Sequence, residues 1–225
     1  YDEIDEVATK DPSKEIQKLM DYVEEEKMFN DFNESIGDER PSFEKFKEWF
    51  VNTTNPTKRP TLDFTRRIVM ISGHQYVVRM AKEQDIQTLV EIEERIYGKA
   101  PWSYAAFRIE LQRPCDRLYL VIEDDQQIVG FMGTAIDWYH YDLHITNIGI
   151  TPSYQNKGIG TYLISTAKNY ARHLKLHSIS LEVRVHNVSA RRLYESLGFR
   201  NQHIKPRYYL DNHEDAVDMQ ANLLR

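Results

Sequence analysis

The chain has 225 residues with 41% hydrophobic and 28% charged side chains, enough apolar area to offset chain entropy over one domain with a sizeable extension, which excludes wholesale disorder. No apolar run approaches the ~20 residues of a membrane-spanning helix, and a net charge of −6 argues against broad, nonspecific phosphate or nucleic-acid binding. Cys115 is the only cysteine, so no internal disulfide forms and a reducing, cytoplasmic setting is expected.

The charge is uneven. Residues 1–60 hold 16 acidic and 9 basic side chains, whereas residues 61–225 hold 19 and 20. The acidic start at Tyr1 also lacks the basic-then-apolar order of a secretory signal. Asp11-Pro12 suits a helix start, and Ile16, Leu19, Met20 and Val23 then make one apolar stripe. Ser42 can cap a second helix carrying Phe43, Phe46, Trp49 and Phe50. Residues 1–60 are therefore expected to be an acidic helical extension. Two prolines and a run of threonines within residues 52–65 read as a break, and residues 61–73 are expected as a linker to a domain over 74–225.

That domain reads as alternating strands and helices. Tyr76–Arg79 starts a strand, and a helix follows with Ile86, Leu89, Val90 and Ile96 on or near one face. Ser103 can cap a second helix containing Phe107 and Leu111. Two apolar strands, 118–123 and 128–135, flank Asp124-Asp125-Gln126-Gln127 as a hairpin. A strand over 145–150, a helix from Gly158 to about His173, a strand over 179–185, a helix over 188–197 and strands over 199–204 and within 216–223 complete the order. This is an α/β pattern, a mixed sheet with helices on both faces.

Gln155-Asn156-Lys157-Gly158-Ile159-Gly160 lies between a strand and a helix. Glycines there let consecutive N–H groups converge at a helix N-terminus, which favours phosphate or pyrophosphate. Dinucleotide, P-loop and kinase signatures are absent, as are a recognised metal-ligand pattern and a G-x-S-x-G nucleophile. Glu182 interrupts an apolar strand and shares a face with Arg184. It reads either as a carboxylate paired to Arg184 or as a general base with a raised pKa. Tyr194 reads either as a core tyrosine or as a proton donor.

The run from Asn147 to Gly160 resembles the acetyl-CoA motif of the GCN-related N-acetyltransferase (GNAT) superfamily. Leu181–Ala190 followed by Leu193-Tyr194-Glu195-Ser196-Leu197-Gly198-Phe199, with Pro101-Trp102-Ser103 and Tyr208-Tyr209, is similar to its RimI branch, the ribosomal-protein-alanine N-acetyltransferases. The resemblance implies a GNAT-like, mostly antiparallel sheet with a bulged strand splayed from its neighbour, acetyl-CoA as acetyl donor and direct transfer to an amine. It assigns Gln155, Asn156, Lys157, Gly158, Ile159 and Gly160 to the pyrophosphate, Ile148, Gly149 and Ile150 to the pantetheine, and Asn187 to a further cofactor contact. Glu182 becomes the general base and Tyr194 the general acid. Acceptor contacts are expected from Trp102, Asn147, Tyr208 and Tyr209, and from Tyr139 in the aromatic loop 137–142. The acceptor so implied is a basic protein or peptide with a free N-terminus, such as the terminal alanine of a small-subunit ribosomal protein. An acetyltransferase for a small amine or a lysine side chain, and a noncatalytic acyl-CoA-binding module, are the alternatives.

Overall fold

The computed structural model describes residues 60–209 and 211–224. The helices expected within residues 11–50 lie outside the described residues.

Among the described residues, eight strands form one sheet in the order β1-β2-β3-β4-β5-β6-β8-β7. They are β1 (Arg67–Ile71), β2 (His74–Met80), β3 (Arg117–Asp124), β4 (Gln127–Asp137), β5 (Asp142–Ile150), β6 (Ser178–Arg184), β7 (Arg200–Lys205) and β8 (Ala216–Asn222). The helices are α1 (Ile86–Tyr97), α2 (Tyr104–Leu111), α3 (Ile159–His173) and α4 (Val188–Ser196). All neighbouring strands pair antiparallel except β5 with β6. The crossover between those two carries α3, as parallel pairing demands. The architecture is the GNAT-like α/β sheet that the resemblance implies.

Local chemistry sets the ends. Ser103 Oγ accepts the Ala106 N–H and starts α2. Asp125 and Gln126 both take positive φ in the two-residue β3–β4 turn, the geometry that matches strand twist. Gly198 follows α4 at φ +87°, a left-handed stop.

The expected linker 61–73 is corrected. Leu62 and Phe64 are buried in the core, and Arg67–Ile71 is an edge strand. The physical reason is in the residues that follow the prolines and threonines. Ile68-Val69-Met70-Ile71 is a strand-forming run, and Ser72-Gly73 is a two-residue turn that pairs Ile71 with His74.

Two cores flank the sheet. On one face Leu118, Leu120, Met132, Leu143, Ile145, Ile179 and Leu181 pack with Leu163, Ile164 and Ala167 of α3. On the other, Ile86, Leu89 and Ile92 of α1 and Phe107 of α2 pack on Tyr119, Val121 and Phe131.

The interruption that matters lies in β5. Gly133 of β4 stands opposite Asn147, and Thr134 stands opposite Ile145, so Thr146 is an extra residue. Such a bulge shifts the alternation by one. Leu143 and Ile145 point to the α3 face, and without the bulge Asn147 would follow them. Instead Asn147 turns to the α1 face, where its Nδ2 lies 3.4 Å from Glu93 Oε1. Gly133 makes room for it, since a Cβ there would sit 2.3 Å from both Asn147 Oδ1 and the Tyr119 ring. Gly133→Ala is expected to destabilise the protein by about 1–3 kcal/mol and to displace Asn147. Denaturant melts and a crystal structure of the variant check it.

Candidate active site

β5 and β6 pair only from Asp142↔Ser178 to Ile145↔Leu181, yet β5 continues to Ile150 and β6 to Arg184. Beyond the bulge the two strands part and open a cleft of about 600 Å³. One wall is Thr146, Asn147, Ile148 and Ile150; the other is Glu182, Val183 and Arg184. Backbone groups on the β6-facing edge of β5 have no strand partner there, so they are available to an extended, amide-bearing ligand.

The floor is the turn before α3. Gln155, Asn156, Gly158, Ile159 and Gly160 line the cleft. Asn156 has φ +60° and Gly158, the N-cap of α3, has φ +86°. This alternation of handedness gathers N–H groups into a concavity that suits an anion. No acidic residue occupies the first turn of α3, so its positive end is uncompensated. Gln155 Nε2 donates to the Ile150 carbonyl at 3.0 Å and ties the turn to the end of β5. Lys157 contributes its backbone to the turn, while its ammonium rests over the Tyr154 ring. The donor set, a strand edge followed by a glycine turn on a helix N-terminus, fits acetyl-CoA.

Of the other expected residues, Trp102, Asn147, Asn187, Tyr194 and Tyr209 also line the cleft. Asn187 caps α4 by accepting the Ala190 N–H at 3.1 Å. Tyr194 is buried against Phe199, and burial raises its phenol pKa, so it stays a proton carrier at physiological pH. Gly149 does not line the cleft. It lies under Phe131, where a Cβ would come within 2.7 Å of the ring, so its part is to let β5 approach β4. Tyr208 is exposed outside the cleft, edge-on to Tyr209 and near Lys205.

Tyr139 is a correction. It lines a separate recess of about 350 Å³ with Arg113, Arg117, Trp138 and His144. The reason is topological: the β4–β5 connection sits where β5 begins, whereas the cleft opens where β5 ends.

Glu182 is a second correction, in its partners and its pKa. It bonds to Lys205 Nζ and stands 2.9 Å from His144 Nε2, while Arg184 turns to Asp211 and Glu214. Burial pushes the Glu182 carboxyl up, but the His144 and Lys205 contacts outweigh it and hold it at about 2. The expected raised pKa is absent. His144 is itself anchored, with Nδ1 2.9 Å from Ser180 Oγ.

The raised carboxyl is Glu93. Only 3% exposed, it lines the cleft from α1. Its Oε2 accepts the Trp102 N–H at 2.9 Å, and none of the ion pairs among the described residues includes it. Burial without a cation pushes it to about 7, against the pull of the Trp102 and Asn147 hydrogen bonds. A signal existed in the sequence: Glu93 falls seven residues after Ile86 and four after Leu89, on the apolar stripe of α1, where a carboxylate is costly. Tyr97, one turn further on, faces the same cleft.

The model of the acetyltransferase (GNAT) family matches residues 86–199. A Bacillus subtilis relative, provisionally named a [ribosomal protein bS18]-alanine N-acetyltransferase, is 37% identical over 142 residues, 63% of this chain and 92% of its own length. The N-alpha-acetyltransferase RimI of Mycobacterium tuberculosis is 33% identical over 143 residues, 61% of this chain and 87% of its own. The crystal structure of the Escherichia coli ribosomal-protein-S18-alanine N-acetyltransferase superposes with a TM-score of 0.60 at 26% identity, over 67% of this chain and 95% of its own.

Glu182 is depressed from an ordinary 4.5 to about 2, so its pairing stabilises the fold above pH 4.5 and that contribution disappears as pH falls toward 2. Glu182→Gln is expected to cost on the order of 3 kcal/mol at pH 7, with the difference from the unmodified protein closing between pH 4.5 and 2. Urea titrations across that range measure it.

Proposed function

The chain belongs to the acetyltransferase (GNAT) family, and we propose that the amine it acetylates is the N-terminus of a protein or peptide, with the terminal alanine of a small-subunit ribosomal protein as the leading candidate. Acetyl-CoA is its acyl donor and an amine its acceptor. The names carried by its relatives support a protein acceptor.

The observation that carries the proposal is Glu93, a cleft-lining carboxyl poised at about 7. An N-terminal ammonium has a reference pKa of ~7.7–8.0, about one unit above it; a lysine ammonium, at ~10.4, lies more than three units above. A base of this strength deprotonates the first readily and the second poorly. We assign the base role to Glu93. Glu182, held ionised by its contacts with His144 and Lys205, has both oxygens engaged and is not assigned the base role.

Bound acetyl-CoA supplies an acyl thioester whose carbonyl carbon takes the amine and whose sulfur leaves. The chain's part is positioning and proton management. Asn147 Nδ2 reaches toward Glu93 and keeps the carboxylate oriented. Unpaired N–H groups of β5 past Ile145 offer donors for developing negative charge. Tyr194, kept protonated by burial, gives its proton to the leaving sulfur. Trp102, Tyr97 and Tyr209 frame the acceptor end of the cleft, and Arg184 lies 3.9 Å over the Tyr209 ring, which fixes its position.

Glu93→Gln is expected to lower kcat/KM by about 10²–10⁴-fold and to abolish an acidic limb near pH 7 in the pH–rate profile. The same variant removes a buried charge whose penalty grows above pH 4.5 and is complete above about 7. Its melting temperature should therefore exceed that of the unmodified protein at pH 8 and match it near pH 4. Loss of activity with an unchanged acidic limb would reassign the base.

The acceptor is tested by mass-spectrometric product mapping on basic peptides with a free terminal alanine, on blocked peptides containing lysine, and on small amines. Acetylation confined to the free terminus is the expected result. Preferential labelling of lysine or of small amines overturns the N-terminal assignment, and cofactor binding without any product favours the noncatalytic alternative.

A further inference from the structure

The β1–β2 hairpin precedes the family-matched segment 86–199, and its tip lies against the glycine turn. A Cβ on Gly158 would sit 3.2 Å from Ile71 Cγ2 and 3.3 Å from Ser72 Oγ. The Ser72 hydroxyl donates to the Lys157 carbonyl at 3.1 Å. The contact is braced from below. Asp124, at the end of β3, holds His74 Nε2 at 2.8 Å through one oxygen and accepts the Tyr154 hydroxyl at 2.9 Å through the other. Tyr154 in turn carries the Lys157 ammonium 4.7 Å over its ring. The hairpin, the β3–β4 turn and the segment leading to α3 thus form one closed set of contacts around Lys157.

The geometry of a peptide gives this set a consequence. A trans peptide points its C=O and its N–H in opposite directions within one plane, and the described residues contain no cis bond. Fixing the Lys157 carbonyl toward Ser72 therefore fixes the Gly158 N–H the other way. The opposite orientation would aim a carbonyl oxygen at an anion. Gly158, free of a Cβ, tolerates either plane far better than other residues do, so an outside restraint is needed. Ser72 is also an unusual choice for its place. It takes φ +50° in a two-residue hairpin turn, where Gly, Asn or Asp serve best. The hydroxyl, not the turn, explains a serine there.

We propose that the β1–β2 turn is a positioning device for the anion-binding turn, in which the Ser72 hydroxyl fixes the Lys157–Gly158 peptide so that the Gly158 N–H faces the pyrophosphate of acetyl-CoA. The inference rests on the reading that residues 155–160 take the pyrophosphate. Ser72 is a positioning residue. It touches Lys157, and its effect on the ligand passes through the Gly158 peptide.

Ser72→Gly is the informative variant, because glycine improves the turn while deleting the hydroxyl. In the full chain, calorimetric Kd for CoA should rise about 3- to 10-fold, the scale of one hydrogen bond. KM for acetyl-CoA should rise in parallel, with kcat and the acceptor's KM unmoved. Affinity for acetyl-pantetheine, which lacks the pyrophosphate, should not change, and the melting temperature should hold or increase. A purely structural serine would instead lower the melting temperature and leave the CoA-to-pantetheine ratio alone. Unchanged CoA affinity in Ser72→Gly overturns the proposal. Gly160→Val, whose added Cβ meets Leu193 only at ordinary contact distance, then separates the causes. Weakened CoA binding in that variant leaves the pyrophosphate reading standing while the hairpin's role falls, and unchanged binding removes both.

Discussion

The structure turns on the point where β5 leaves β6. Parallel strands in the middle of a sheet ordinarily satisfy each other's backbone groups along their whole length. Here the ladder stops at Ile145↔Leu181 while both strands continue. A central strand with a free edge exposes N–H and C=O groups, and the strand geometry suits a partner that is itself extended and amide-bearing. The Thr146 bulge makes the opening usable. It shifts the side-chain alternation of β5 by one, sends Asn147 toward Glu93, and leaves Ile148 and Ile150 as the apolar wall beside α3. Thr146 itself is held by the Tyr119 hydroxyl at 3.2 Å. The glycine turn then follows directly at the end of the bulged strand, so an amide-rich arm and an anionic head can be met by one continuous stretch of backbone from 146 to 160. The backbone's path depends on two positions without a side chain: Gly133 leaves room for Asn147, and Gly149 lies under Phe131.

Much of this was legible in the sequence because it is written in local chemistry. Turns with a fixed backbone requirement, caps such as Ser103, and apolar runs of strand or helix period identified seven of the eight strands and all four described helices in order. Strand β1 was missed because prolines and threonines just before it suggested a linker, and the Ile68–Ile71 run was too short to outweigh them. Tyr139 was misplaced for a different reason. The aromatic run 137–142 suggested a groove-lining loop, but that loop sits where β5 begins, and a nine-residue strand carries the chain well over 20 Å, at about 3.3 Å per residue, before the glycine turn starts. What the sequence pattern could not supply was the set of partners that long-range folding gives each charge. Glu182 meets His144, 38 residues earlier, and Lys205, 23 residues later, and neither spacing has a period.

Those partners decide how two carboxyls in one cleft behave. Glu182 and Glu93 are both removed from water, and for both, burial is the largest influence and raises the pKa. Their hydrogen-bond and ion-pair partners then separate them. Glu182 sits on the sheet face in contact with His144 and the Lys205 ammonium, which is also 3.8 Å from Asp218. Glu93 sits on a helix face among Ile86, Leu89 and Ile92, and its hydrogen-bond partners among the described residues are a side-chain amide and a backbone N–H. The first environment fixes a charge and the second leaves a proton exchangeable near neutrality. The proposed role of Glu93 follows from this difference: an amine acceptor arrives as a cation and must leave its proton behind before it can attack, and of the two carboxyls Glu93 is the one suited to take it. A single carboxyl cannot be strongly ionised and a moderate base at the same pH. Glu182 reaches the cleft from β6 and Glu93 from α1, so one cleft holds two carboxyls whose partners, and therefore whose pKa values, differ.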